Sequence, residues 1–416
     1  MASFNYIDIF AGAGGLSEGF IRERFTPIAH VEMNKSACDT ITTRVAYHYL
    51  KSKKKLDIYH SYLKEEISKS EFLSHIPKKL LNTVINSEIS NETISTIFEK
   101  IEALQKNGKK NKKDVDVIIG GPPCQAYSIV GRARDPKNME GDPRNFLYKL
   151  YVKFLKKFQP KMFVFENVPG ILSAKNGEHF TKILKAIKDA DYDCDYKILN
   201  TKDFGVLQDR KRVIIIGWKK VHEFIYPSFK EKKDFSKFNI LKDLFFDLPK
   251  IKNGKGSLGA VNYKKESNCY LKDYRIRNGF DYTTQHIARP NNENDLDIYR
   301  RAVEKWKDGI RLDYDTLPDD LIKHKNRTSF KNRFQVVNGK GISHTVVAHI
   351  AMDGNYYIHP DIKQNRSITI REAARIQSFP DDYFFEGGRT AAFKQIGNAV
   401  PPLMAEKIAN EIKKML

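Results

Sequence analysis

The stretch YIDIFAGAGGLSEGF, residues 6–20, decides how the rest of the chain is read. Tyr6–Phe10 is a short apolar run of the kind that forms a buried strand. It meets a glycine-rich turn, Ala11–Gly15, and helical spacing follows from about Leu16. Strand, glycine turn and helix in that order open a doubly wound α/β sheet, and the glycines let the backbone bend sharply and come close to a ligand. The next strand, Pro27–Met33, holds an acid near its end, Glu32, twenty residues after Gly12. An acid there can accept the hydroxyls of a ribose. The turn contains no GxGxxG, so a nucleoside-type ligand fits it better than a dinucleotide.

Working outward, residues 36–80 look helical around a basic knot, Lys51–Lys55, and Thr83–Asn86 reads as a short strand. Ser90 or Asn91 caps a helix reaching about Gln105, and 108–113 is a basic loop. A third acid for the ligand is expected at the end of strand 83–86, where Glu88 is favoured over its rival Asp57. Asp116–Ile119 is a strand, Phe146–Phe158 a helix, Lys161–Glu166 a strand, His179–Asp189 a helix and Arg212–Trp218 a strand. This alternation predicts an α/β fold with a doubly wound, mostly parallel sheet. The pattern breaks over 219–344, which is irregular, aromatic and basic, with 27 Lys+Arg against 17 Asp+Glu. From Thr345 order returns. Thr369 with Glu372 makes a capping box, and Pro401 and Pro402 open a last helix. The expected organisation is a main domain, 1–218, with an insert near 36–113; a smaller irregular domain, 219–344; and a return to the main domain, 345–416.

The formal charge of +21 and the pI near 9.5 point to a polyanionic partner, nucleic acid first. The four cysteines (Cys38, Cys124, Cys194, Cys269) form no CxxC pair, so neither a disulfide framework nor a metal site is expected, and a reducing cytoplasm fits. Met1–Phe10 shows no basic segment followed by an apolar stretch, so no secretory signal is expected. No apolar run approaches the ~20 residues of a membrane span.

One cysteine does not read as a core residue. In GGPPCQAYS (120–128), Cys124 follows a strand and two prolines that fix the direction of its thiol. The carboxyl ends of strands are where open α/β sheets place their chemistry. This segment resembles the nucleophile segment of the DNA cytosine-5 methyltransferase family, of the bacterial restriction–modification type. Further segments are similar in the family's order: DIFAGAGGLSEGF (8–20) to the methyl-donor loop, FENVPG (165–170) to the acid segment, QDRKRVIIIG (208–217) to the arginine segment, REAARIQSFPD (371–381) to the helix before the closing motif, and QIGNAVPP (395–402) to that motif itself.

The resemblance implies an enzyme that moves a methyl group from S-adenosyl-L-methionine to carbon 5 of a cytosine flipped out of a short duplex DNA site. Cys124 would be the nucleophile and Glu166 would bond ring nitrogen 3. Arg212 would approach the cytosine carbonyl, while Arg210 steadies Glu166 and the phosphate. Donor contacts are implied for Phe10, Ala11, Gly12, Gly14, Gly15, Leu16, Glu32, Met33, Glu88, Pro122, Leu147, Asn398 and Ala399. Gln125, Ser128, Asn167 and Gln208 would lie toward the DNA. Arg327, Lys331 and Arg333 of the irregular domain are candidates for phosphate or base contact. The same resemblance implies double-stranded DNA as partner and, from the family's usual context, a cognate restriction endonuclease as companion, with an orphan enzyme equally consistent; a monomer is the default expectation. An RNA cytosine-5 methyltransferase and a catalytically inactive DNA-binding homologue are the alternatives.

Overall fold

Val117, Ile119, Met162, Val164, Ile214 and Ile216 face one side of a sheet, and Ile118, Phe163, Phe165, Val213 and Ile215 face the other. This period of two is what a strand covered on both faces produces. The computed structural model describes residues 4–106, 114–123, 146–229, 235–323 and 333–416. Its main sheet contains β1 (Asn5–Ile9), β2 (Thr26–Glu32), β3 (Val84–Asn86), β4 (Val117–Gly120), β5 (Met162–Asn167), β6 (Tyr192–Asn200) and β7 (Lys211–Lys219). The spatial order is β3-β2-β1-β4-β5-β7-β6. The first five are parallel, and β7 runs antiparallel to both β5 and β6.

Helices Ile94–Lys106, Leu147–Phe158 and Glu178–Lys188 cover one face, and Gly15–Arg22 and Pro402–Met415 cover the other. The last helix lies directly on the first. A Cβ on Gly19 would stand 2.3 Å from the Glu406 amide nitrogen, so this close approach requires glycine. The two ends of the chain thus meet beside β1. The expected capping box is present at Thr369 and Glu372.

Three elements depart from expectation. β6 was not predicted. It is the sheet's edge, buries only Tyr192 and Asn200 fully, and so shows no apolar run. The stretch expected to be irregular contains the helix Glu293–Lys307, capped by the Asn292 side chain and buried through Leu296, Tyr299 and Val303. Its other faces are so charged that the helical spacing is hard to see. The helix after Ser90 also starts later, at Ile94.

Outside the sheet, Ile240, Leu244, Tyr270 and Ile276 share one hydrophobic cluster with Val337, Ile350, Ile368, Ile376 and Phe393. The boundary drawn at 344/345 therefore runs through a single core. The insert packs Tyr47, Tyr59 and Phe72 against Phe280 and Tyr282, joining it to the 219–344 stretch. Among the described residues, no helix is long and apolar enough to cross a membrane.

Candidate active site

The carboxyl ends of β1, β2, β4 and β5 open into a cleft of about 2570 Å³. On its first wall, Phe10, Gly12 and Gly14 adopt positive φ, and Ala11 N–H donates to Val31 O at 3.1 Å, bending the chain out of β1. The Gly12 amide donates to Glu32 Oε2 and the Asn34 amide to Glu32 Oε1, both at 2.8 Å. Burial raises the Glu32 pKa, and these amides oppose that rise. A Cβ on Gly15 would meet the Val400 carbonyl at 2.3 Å, whereas one on Gly12 would meet nothing within 4 Å. Gly15 is glycine for packing, and Gly12 borders open space. The donor-side positions named from the sequence all line this cleft except Gly14, which faces Tyr383. Glu88 lines it and is exposed, while Asp57 lies on the helix Leu56–Leu63 away from it.

The neighbouring wall is built at the ends of β4 and β5. A Cβ on Gly121 would stand 2.2 Å from the Glu166 carbonyl, so β4 leaves the sheet pressed against β5. Asn167 Nδ2 donates to Pro122 O at 3.2 Å and its Oδ1 accepts from Val168 N–H at 2.9 Å. Asn167 is 1% exposed, so its expected place toward DNA is corrected to a clamp on the turn that leads into Cys124. Glu166 Oε1 and Arg212 Nε form an ion pair at 2.7 Å, and both residues line the cleft. Cys124 itself, with Gln125, Ser128, Arg327 and Lys331, lies outside the described residues. Arg333 lines the cleft, its guanidinium 4.6 Å from the centre of the Tyr314 ring.

The two arginines divide the work differently from expectation. The partner of Glu166 is Arg212. Arg210 is fully buried and donates to Val346 O at 2.7 Å, Gly397 O at 3.1 Å and Ala399 O at 3.0 Å. It ties the arginine segment to the closing motif. Arg210 precedes β7, which starts at Lys211, so the alternation of a strand, by which residues two apart such as Arg210 and Arg212 would share one face, does not reach it. Gln208 is also fully buried. It accepts from Val346 N–H at 2.8 Å and donates to Gln377 Oε1 at 2.8 Å, which removes it from the DNA-facing set.

The sequence model of the C-5 cytosine-specific DNA methylases matches residues 4–75 and 78–414. The chain belongs to that family. As a C-5 cytosine-specific DNA methylase it is a DNA cytosine-5-methyltransferase. It is 42% identical to the type II methyltransferase M.Bpa9945I of Bacillus paralicheniformis, over 99% of this chain and 98% of the relative. It is 30% identical to the type II methyltransferase M1.HphI of Haemophilus parahaemolyticus, over 99% and 87%. A candidate DNA modification methyltransferase encoded within a prophage (E. coli) shares its fold, with a TM-score of 0.63 and 24% identity, over 99% of both chains.

Several residues of this methylase that shape the cleft had no signal in the sequence. Asn86 Nδ2 donates to Glu32 O at 3.1 Å and Met33 O at 2.9 Å, fixing the turn after β2. The Tyr383 hydroxyl donates to Ala13 O beneath the glycine turn. Arg44 stands between Glu18, at 2.6 Å, and Asp382, at 2.8 Å, and joins the helix after that turn to the Tyr383 segment. All are polar residues in otherwise ordinary stretches, and only the folded chain brings them together.

Proposed function

We propose that this methylase transfers a methyl group from S-adenosyl-L-methionine to carbon 5 of a cytosine rotated out of a specific short duplex DNA sequence, through a covalent adduct on Cys124. The observation that carries this reading is the Glu166–Arg212 ion pair on the cleft wall, beside the Gly121–Pro123 turn that leads into Cys124. The donor fits the other wall. Gly12 leaves open space, the Glu32 carboxylate stands at the end of β2, and Met33 is 60% exposed for an apolar ring to cover. Gly12, Glu32, Met33, Glu88 and Asn398 would hold it. When bound, the donor supplies an electrophilic methyl group.

Carbon 5 of cytosine is a weak nucleophile. Addition of the Cys124 thiolate at carbon 6 pushes electrons toward carbon 5 and makes it reactive. Glu166 in its acid form donates its proton in a hydrogen bond to ring nitrogen 3 and so stabilises the negative charge that develops there as the thiolate adds, and Arg212 holds Glu166 in position. Once carbon 5 has formed its new bond, loss of its proton to a base expels the thiolate and restores the ring. The base is most simply a water. Asn167 keeps the Pro122 carbonyl, and so the approach to Cys124, in one place.

The target atom lies inside a duplex, so the base must leave the stack. The basic stretch 219–344, with Arg333 at the cleft, is the proposed DNA-reading region. The chain would act as a cytoplasmic monomer beside an endonuclease of the same site. Base-resolution bisulfite sequencing of DNA from a methylation-free bacterial host tests the reading. Protection of cytosines in one short sequence is expected with the wild type and none with Cys124→Ser. Equal protection by both proteins would remove Cys124 from the chemistry.

A further inference from the structure

Two long apolar side chains stand exposed on the walls of the cleft: Met33, 60% exposed, and Met352, 67% exposed. Met33 belongs to the donor wall. Met352 lies on the far wall, and the chemistry above does not use it. It follows the single turn of 3-10 helix Ala348–Ala351.

The backbone presenting Met352 is held from several directions. Arg289, 8% exposed, donates to the carbonyls of Ile350 at 3.0 Å, Ala351 at 3.2 Å and Met352 itself. The Tyr357 hydroxyl donates to Thr345 O and accepts from Val347 N–H, both at 3.0 Å. Arg210 holds Val346 O. A Cβ on Gly397 would stand 2.3 Å from the Val347 carbonyl carbon and the Ala348 nitrogen, so this backbone rests directly on the helix Gly388–Asn398. The segment 345–352 is a braced spur that holds an apolar side chain in solvent.

We propose that Met352 is a wedge that enters the duplex and occupies the space the target cytosine leaves when it rotates toward Glu166 and Arg212. This rests on the base-flipping reading of the function. Apolar side chains on a fixed backbone are what other DNA-binding proteins insert between base steps. Methionine suits the role because its long polarizable thioether packs against flat rings of varied shape. Met352 is here a positioning residue. It touches neither donor nor reacting atoms, and it acts by making the flipped state more populated.

The test uses the full chain on a duplex bearing its bisulfite-defined site, in three forms: normally paired, with the target cytosine opposite an abasic site, and with 2-aminopurine at the target position. On the paired duplex Met352→Ala should methylate about ten- to a hundredfold more slowly than the wild type, the range expected if the wedge offsets part of the unstacking cost. Met352→Leu should stay close to the wild type. Opposite an abasic site flipping is already easy, so Met352→Ala should recover to within about twofold. The wild type should brighten 2-aminopurine strongly, and Met352→Ala should do so less. An unchanged rate for Met352→Ala, an equal deficit on the abasic duplex, or equal brightening by both proteins overturns the wedge alone. No brightening by an active wild type overturns base flipping and the wedge with it.

Discussion

The two walls of the cleft are held by different means. The donor wall is made from the ends of parallel strands, and its main contacts are backbone amides, as where Gly12 and Asn34 meet Glu32. The far wall, with the irregular chain behind it, is held by buried arginines. Arg210 bonds Val346, Gly397 and Ala399; Arg289 bonds Ile350 and Ala351; Arg371 bonds Thr284, Pro380 and Tyr383; and Arg375 bonds Asp247 and Asp381. A sheet satisfies its own backbone groups through the ladder. Irregular chain leaves buried carbonyls without ladder partners, and a guanidinium with five donors can serve several at once. The apolar sheet behind the donor wall should therefore tolerate small changes of side chain, and the far wall should not tolerate the loss of a single charge.

The largest expected effect tests that difference directly. Arg375 sits between Asp247 and Asp381, with N–O distances of 2.6 Å to each, and these carboxylates are 0% and 1% exposed. Arg375→Met leaves two buried carboxylates without their shared cation, and about 3–5 kcal/mol of stability should be lost. Ile118→Val in the sheet core should cost only about 0.5–1.5 kcal/mol. Urea unfolding of both variants reads the contrast. Equal costs would mean that the far wall does not depend on its arginines.

A smaller effect separates two glycines of the donor wall. Gly15→Ala drives a Cβ to 2.3 Å from the Val400 carbonyl and should cost about 1–3 kcal/mol by overpacking. Gly12→Ala meets no protein atom within 4 Å, so its cost in stability is the left-handed φ of +56°, about 1–2 kcal/mol. The Gly12 variant should nevertheless bind S-adenosyl-L-methionine at least about tenfold more weakly, since its methyl group enters the space left for the ligand. Thermal unfolding and calorimetric titration with the donor measure the two losses. Undiminished affinity in the Gly12 variant would place the donor elsewhere.

The same contrast explains what was legible in the sequence. The runs at Tyr6–Phe10, Asp116–Ile119 and Arg212–Trp218 announced the sheet because a strand covered on both faces is apolar along most of its length, the buried Asp8 being an exception in the first. β6 escaped because an edge strand need not be. Glu166, Arg212 and the glycine turn could be read from their motifs. The role of Arg210 could not, because a two-residue spacing fixes a shared face only inside the ladder. Gln208 and Asn167 looked like groups that read DNA, since buried amides that serve the backbone are the same residue types. The spur at 345–352 has no pattern of its own, because Arg210, Arg289 and Gly397, which hold it together with the nearby Tyr357, are distant in the chain.

The last expected effect vanishes at neutral pH and appears only in the response to acid. His359, on the arginine-held side, is 1% exposed and stacks on Phe245. Burial, with Arg366 beside it, lowers its pKa from 6.5 to about 3. Its Nδ1 accepts from the Asp361 amide at 3.1 Å, which requires the neutral ring. The folded value lies below the unfolded one, so between these values the unfolded chain binds more protons. The stability this histidine contributes is therefore complete above about pH 6.5 and lost as pH falls toward 3, at up to about 1.4 kcal/mol per pH unit. Glu32 on the donor wall is shifted the other way. Burial raises its pKa, so protonating it eases folding, and acid should not weaken its own site. Unfolding by urea at pH 7, 6 and 5 should show the wild type losing stability faster than His359→Gln, with the two curves converging toward low pH. Parallel curves would mean that His359 is charged in the folded protein and that the acid-sensitive step lies at another group.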